Sequence, residues 1–447
     1  MNDEAAEDLL SEAVAAALAS GAEAAEAVYA EQQSLSVTVR EGQVEELERE
    51  ESRDLGIRVF IGKRQSVVSG SDISSDGRAR LVERVMAMAR MAPEDPYAGL
   101  APGERLFSGP MEDLELFDPI EPSAGDLEAR AREAEEAALA IPRVSKSIGG
   151  SAGWSTSAWR LYTSGGFSQG RRASGFSLAA QAIAGEGSSM EQGAEGRSTR
   201  WAEDLPSPQA IGAEAGRRAA AALGPRKLSS RTAPVIFENR LSASLLGPFI
   251  GAISAPAVAR GVSFLKDRLG KLVFGPEITI SDDPHRPRGR GSISFDDEGV
   301  AARPMNLIEK GVLSSWLLNS SSARQLGLET NGHASRGLAA PPSVSPSNLT
   351  LAPGERSASK LMTEAGAGLL VTSMFGPSLN ANTGDWSVGC QGFWFEAGAI
   401  AFPVSEITVA GNLVDMYARL EPGSDLEFRG SVNAPSILVD ALTVAGK

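Results

Sequence analysis

One cysteine, Cys390, stands in 447 residues, so the chain can close no disulfide on itself. That suits a reducing compartment, where thiols stay free. Histidine is almost as scarce, with only His285 and His333 present. A zinc site draws on three or four His, Cys or carboxylate ligands, two of them usually close together on one element. The sequence has no HExxH, no CxxC and no histidine with a partner four residues on, so no metal or other cofactor bound by this chain is expected. Phosphate cradles of the G-x-x-x-x-G-K-[ST] kind are missing too. Glu364-Ala-Gly-Ala-Gly-Leu precedes an apolar strand-like run instead of following one, the wrong order for a dinucleotide turn. The longest apolar stretch, Leu245 to Ala259, is broken by Gly247, Pro248, Gly251 and Pro256 and is too short to span a bilayer. The opening Met-Asn-Asp-Glu-Ala-Ala-Glu-Asp is the opposite of a basic n-region. A cytoplasmic protein without a membrane partner is the expectation.

What is present is an ordinary globular mixture, 42% hydrophobic and 22% charged, which excludes wholesale disorder. The length exceeds a single core and points to two or three domains. The 48 glycines exceed the usual share of about 7% but follow no G-X-Y period, so collagen is excluded and a turn-rich β architecture is favoured. Net charge is -15 and unevenly spread: residues 1–140 hold 31 acids against 13 bases, the remainder 26 against 29. An acidic half repels phosphate backbones, so direct nucleic-acid binding is not expected. Arg286, Arg288 and Arg290, in a Pro/Gly loop, read as solvated surface.

Alanine, glutamate and the spacing of Leu9, Leu10, Val14 and Leu18 predict a helix over residues 4–30. Alternation follows at Leu35, Val37 and Val39, then a turn at Glu41-Gly42-Gln43. Separate strands are expected at 44–53, 55–61 and 65–69. Helical spacing returns at 76–91, and 92–124 reads as a loop. An exposed helix at 128–139 precedes short polar strands between 144 and 201, and 208–223 reads as a helix. From about residue 230 apolar runs dominate, with hairpin signals at Ile308–Leu313 and Phe395–Ile400 and a helix at 242–253. The expected fold is α+β: an N-terminal region, 1–229 (subregions about 1–120 and 121–229), with an antiparallel sheet under helices, then a β-rich, curved or barrel-like domain over 230–447.

Gly149-Gly150-Ser151-Ala152-Gly153 matches the G-x-S-x-G elbow of serine hydrolases, which requires a strand before the serine and a helix after it. The residues after it read as strand, so a glycine-rich turn accounts for it better. Ser357-Ala-Ser-Lys360 matches S-x-x-K at chance level. In Gly384–Phe395, glycines and aromatics alternate densely. They suit either a tightly packed β core or an open edge that accepts an extended peptide. Cys390 has no histidine near it in sequence and reads as an inert buried thiol.

Several segments together carry a resemblance: Ala233-Pro-Val-Ile-Phe-Glu-Asn, Gly251-Ala-Ile-Ser, Ser263-Phe-Leu, Phe295-Asp-Asp-Glu-Gly-Val300, Ser315-Trp-Leu-Leu, Ser322-Ala-Arg-Gln-Leu-Gly327 and Pro403-Val-Ser-Glu-Ile-Thr-Val-Ala-Gly-Asn-Leu413. With Glu94-Asp-Pro-Tyr-Ala-Gly99 earlier on, they resemble the TldD/PmbA family over nearly the whole chain, and its PmbA (TldE) branch most. The resemblance implies a heterodimeric cytoplasmic zinc metalloprotease that acts on unfolded or peptide substrates and trims modified-peptide precursors, with a link to DNA gyrase modulation. In the TldD branch a helix carries HExxxH and a later cysteine completes the zinc site. Here those slots fall on Gly247, Pro248 and Ala252, and Cys390 stands beside the cysteine position. The resemblance therefore implies the subunit without metal. It would pair through its β-rich domain with a TldD-type chain that carries the zinc, and close a chamber over that zinc. A homodimer in the partner's absence is also implied. The alternative is a regulatory protein-binding module, for example a modulator of DNA gyrase, with no protease role. An independent hydrolase using Ser151 or Cys390 is the third class.

Overall fold

The computed structural model describes residues 3–446, so the first two residues of the acidic N-terminus lie outside it, as does Lys447. The N-terminal part is built on one six-stranded antiparallel sheet. Its strands are β1 (Ala24–Arg40), β2 (Gln43–Ile61), β3 (Arg64–Gly70), β4 (Val144–Thr163), β5 (Ser168–Ala184) and β6 (Glu191–Thr199), in the order β3-β2-β1-β4-β5-β6. Helices α1 (Asp3–Ala19) and α2 (Ser75–Met91) cover one half of one face; α3 (Ala124–Leu139) and α4 (Pro208–Ala221) cover the other half.

The predicted helix over 4–30 stops eleven residues early. Ser20 Oγ donates to Ala16 O, and Gly21 takes a left-handed φ of 98° that ends the helix. Ala25, Ala27 and Tyr29 then line the strand face under α1, where small side chains admit a helix closely. The expected strands at 44–53 and 55–61 are a single strand, β2, whose residues 43–53 are exposed. The short polar strands expected over 144–201 are three strands of 20, 17 and 9 residues. The expected glycine-rich turn at 149–153 lies inside β4. A Cβ at Gly150 would collide with the carbonyl of Ala131, so glycine there lets α3 sit directly on the strand. Nor is α3 merely exposed: it buries Leu127, Ala131, Ala134 and Ala138, and its buried Glu135 accepts the N–H groups of Glu41 and Gly42 at 2.8 and 3.0 Å.

The C-terminal part holds a closed five-stranded barrel, as the β-rich, barrel-like expectation had it. Its strands are β7 (Arg231–Phe237), β8 (Ala367–Leu379), β9 (Asp385–Glu396), β10 (Ala399–Asn412) and β11 (Ile437–Ala445), in the order β10-β9-β8-β7-β11. The pairing of Thr408–Ala410 with Thr443–Ala445 closes the ring, and β7 and β8 run parallel while the other pairs are antiparallel. The open-edge reading of Gly384–Phe395 fails, because β9 is paired on both sides. Its glycines admit close neighbours instead: the ring of Phe375 lies over Gly389. The helix expected over 242–253 is broken into a turn at Asn239–Ser242, a 3-10 turn at Ala243–Leu245 and α5 (Leu246–Ala252). The break follows from Pro248, which is tolerated only in a first helical turn.

Buried charges join the two parts. Glu26 of β1 accepts Arg58 Nη1 at 3.1 Å and also binds Arg336 from the C-terminal part. Arg171 of β5 stacks on Trp159 and donates to Asp297 at 2.6 Å. Next in that loop, Asp296 accepts the N–H groups of Glu298, Val300 and Ala334, each at 2.9 Å. Burial first, and then the Glu298 carboxylate, pushes the Asp296 carboxyl well above its ordinary range. The Phe295–Val300 segment is thus a clasp between the parts. The three loop arginines are engaged with other residues, Arg288 while still at the surface. Arg288 binds Glu115, Glu203 and Asp204, Arg286 stacks on Phe428, and burial lowers Arg290.

Candidate functional site

Helix α5 turns Leu246 and Phe249 into the barrel core and leaves its other face bare. Gly247 and Gly251 are exposed, one turn apart, and a Cβ at either would meet nothing within 4 Å. With Pro248 and Ala252 they floor a cavity of about 770 Å³. Ala257, Val262 and Phe264 form one wall; Met374, Pro377 and Leu379 of β8 with Trp386 and Val388 of β9 form the other. Among the described residues, Arg240 is the single charged one in the lining. All three positions that the resemblance marks as empty metal slots therefore face one apolar space.

A second cavity, of about 470 Å³, shares Arg240, Leu241 and Met374 with the first and reaches the outer edge of β6 at Gln192–Ala194. It is charged where the first is apolar. Arg218 binds Glu214 and Glu238, both at 2.9 Å. Burial alone would lower the Arg218 guanidinium, but Glu238, Glu214 and Glu195 outweigh it and hold the pKa above its ordinary value. Arg240 is held more loosely: its Nε lies 3.4 Å from Glu238, and Nη2 donates to Thr372 O at 3.2 Å.

Strand β8 runs through both cavities. It pairs with β7 only over Leu369–Val371. From Ser373 to Leu379 it has β9 on one side and, among the described residues, no strand on the other. Phe375 to Leu379 are exposed. Pro377 in this stretch is itself the mark of an edge strand, since proline offers no ladder N–H. An edge of this kind recognises extended backbone, and the adjoining cavity accepts side chains.

The residues do not fit a zinc ion. Gly247, Pro248 and Ala252 offer no donor atom, and Cys390, opposite Met374 and Ile407 in the barrel, is fully buried. Burial pushes its thiol up to about 12, which disfavours the thiolate that a nucleophile needs. Among the described residues no group of three His, Cys, Asp or Glu side chains is placed to hold a metal. The histidines have other contacts. His333 is buried with Nδ1 2.9 Å from Asn331 Oδ1 and Nε2 3.1 Å from Asp282 Oδ2, while His285 Nδ1 lies 3.8 Å from Glu112. Ser151 sits mid-strand opposite Thr38 and Ala179, without the strand-to-helix turn of an elbow. Ser357 caps a helix, accepting the N–H of Lys360 at 3.2 Å. Sequence reasoning did not find Arg240 or the β8 edge. The available signals were Pro377 and the glycine pair Gly247/Gly251 interleaved with the apolar Leu246 and Phe249.

Fold and site together define a helix-covered sheet joined to a closed barrel, with an apolar cavity floored by α5. The PmbA/TldA metallopeptidase profiles match in order: domain 1 over residues 25–89, the central domain over 117–223 and the C-terminal domain over 230–446. The chain is 39% identical to the metalloprotease PmbA of Escherichia coli O157:H7, covering 99% of this chain and 98% of that one. It is 35% identical to a PmbA homologue of Haemophilus influenzae over 94% and 92% of the two chains. The chain belongs to the PmbA/TldD metallopeptidase family, and within it to the PmbA branch. Among solved structures, a protein of Bacteroides thetaiotaomicron described as a candidate modulator of DNA gyrase superposes with a TM-score of 0.91 at 26% identity, over 99% of each chain. TldE of Thermococcus kodakarensis shares the fold, with a TM-score of 0.86 at 20% identity, over 98% of this chain and 99% of that one. Among the described residues no helix is long and apolar enough to cross a membrane.

Proposed function

We propose that this chain is the non-catalytic subunit of a two-chain zinc metalloprotease of the cytoplasm, which acts on unfolded or peptide substrates. Its partner is a TldD-type chain that carries HExxxH and the zinc. The C-terminal part, taken from about residue 230, is the face that pairs with the partner and closes a chamber over the partner's metal. The observation that carries this reading is the contrast at α5. A full-length family scaffold keeps an open cavity where the metal helix belongs, yet Gly247, Pro248 and Ala252 give that cavity no ligand. A walled chamber admits only extended chains and so spares folded proteins. In the partner's absence the chain pairs with itself. Mixing the two purified chains at micromolar concentration and following them by size-exclusion chromatography tests the reading. Co-elution at the mass of a heterodimer is expected, and independent elution of the two chains excludes it.

A regulatory binding module is the second reading. It is favoured by the gyrase-modulator description of the Bacteroides relative and by the exposed acidic run of β2 from Gln43 to Arg53. A pull-down that retains gyrase and leaves a TldD-type chain in solution selects it.

A further inference from the structure

We infer that the α5 cavity and the free edge of β8 form a peptide-binding site in this chain itself, one that takes an extended polypeptide segment carrying a large apolar side chain. Two independent observations meet there. The first is a strand edge, Ser373–Phe375, that among the described residues has a strand on one side only; past it Gly376, at a φ of 59°, and Pro377 bulge the strand before it pairs with β9 again at Ser378. Its unpaired N–H and C=O groups match the backbone of an added strand, whatever that strand's sequence. The second is the cavity of about 770 Å³ beside that edge. Its floor is the bare backbone at Gly247 and Gly251, open above for at least 4 Å, and its walls include Phe264, Leu379 and Trp386. A strand laid along β8 sends alternate side chains toward this floor, and the space is large enough for an aromatic ring or a leucine.

Charge narrows the occupant further. Among the described residues the lining holds one guanidinium, Arg240, and no carboxylate, so a lysine or arginine side chain would lose its hydration and find no carboxylate there to replace it. Neutral apolar side chains fill the space without that cost. The exposed Phe375, Leu379 and Val262 continue the apolar surface outward, where flanking residues of the segment would lie. The site deepens the reading above, because its floor is the helix that lacks the zinc ligands. It needs neither the partner chain nor a metal to bind.

The test is fluorescence anisotropy of the isolated full-length chain with fluorescein-labelled eight-residue peptides, unstructured and matched except for one central Phe, Leu, Ala or Lys. The Phe and Leu peptides should bind about tenfold or more tightly than the Ala peptide, the gain expected for burying such a side chain. The Lys peptide should bind more weakly than the Ala peptide. Gly251→Leu and, separately, Gly247→Leu fill the cavity from its floor. Neither position is crowded, and leucine is the better helix former, so each variant should keep the parent melting temperature while the Phe peptide loses about tenfold in affinity. N-methylation of alternate backbone amides of the Phe peptide should abolish binding by removing the strand ladder. Equal affinity for the Phe and Ala peptides, or full affinity in both filled variants, overturns the inference. So does a filled variant that shifts the chain's own elution volume while peptide binding stays put, since a second copy then occupies the cavity. A negative result leaves heterodimer formation, tested by co-elution, standing or falling on its own.

Discussion

Glu26→Ala removes the one carboxylate that holds two guanidinium groups across the junction of the two parts. Glu26, Arg58 and Arg336 have side chains exposed by 2%, 2% and 1%. Arg58 keeps Gln65 as a second acceptor, at 3.0 and 2.6 Å, whereas Arg336 Nε and Nη2 have no hydrogen-bond acceptor among the described residues. Without Glu26 both cations stay buried without the carboxylate that pairs them, and Arg58 keeps near it only the Glu298 carboxyl, to which it is not bonded. Breaking a buried ion pair by removing one partner costs about 3–5 kcal/mol, and the upper half of that range is expected here because two cations lose their anion. Arg336→Met should be milder, at about 1–2 kcal/mol, since it leaves Glu26 balanced by Arg58 and removes two unsatisfied donors. Urea unfolding followed by both tryptophan fluorescence and far-UV circular dichroism is the assay, because two parts of this size need not unfold together. A Glu26→Ala cost below about 1 kcal/mol, or Arg336→Met costlier than Glu26→Ala, refutes the role given to the Glu26 ion pairs.

Three further outcomes follow from the same structure. Burial alone would raise the Glu26 carboxyl, but Arg336 and Arg58 hold it below its ordinary value. Its contribution to stability is therefore complete above the unfolded value of about 4.3 and is lost as pH falls through the folded one. Asp296 and Glu298, which burial raises, work in the opposite sense, so the comparison of wild type with Glu26→Gln isolates the term; the variant's melting temperature should fall less steeply below about pH 5. Cys390, with its thiol near 12, should resist iodoacetamide at pH 8 in the folded chain, where only about 10⁻⁴ of it is thiolate, and react on unfolding; stoichiometric labelling of the native protein on a minutes scale contradicts its burial. Gly212→Ala drives a Cβ into the carbonyl of Ala134 at the α3–α4 contact and should cost about 1–3 kcal/mol, while Gly103→Ala, with nothing within 4 Å, should change stability by less than about 0.5 kcal/mol in thermal unfolding.

Much of the fold was legible because local pattern and tertiary role agree. Residues 76–91 and 208–223 show helical spacing and are α2 and α4, and the hairpins at Ile308–Leu313 and Phe395–Ile400 are formed by residues that turn as their glycines suggest. Two of the failures share a physical cause, which is small residues. Ala24, Ala25 and Ala27 favour a helix in isolation, but in the sheet Ala25 and Ala27 give α1 room to pack. Gly149–Gly153 looks like a turn, but there it admits α3 onto β4. Propensity weighs one segment at a time, and these positions are decided by a neighbour from far along the chain. The same holds for the site. Gly247, Pro248 and Ala252 were legible as positions without ligands, but their meeting with Met374, Leu379 and Trp386 around one cavity depends on how α5 sits against the barrel. Arg286, Arg288 and Arg290 looked like loop surface because their partners, Phe428 and the acids of 115–204, lie 84 or more residues away in sequence.

The central claim is that this chain serves a zinc peptidase without holding the zinc. The most direct measurement is cleavage of an unstructured peptide by this chain alone, by a TldD-type chain alone and by the two mixed, each with and without a zinc chelator. Activity only in the mixture, abolished by the chelator, is the predicted result. Chelator-sensitive cleavage by this chain alone would contradict the account at Gly247, Pro248 and Ala252, and cleavage by the partner alone at the full rate of the mixture would contradict any role for this chain in the peptidase.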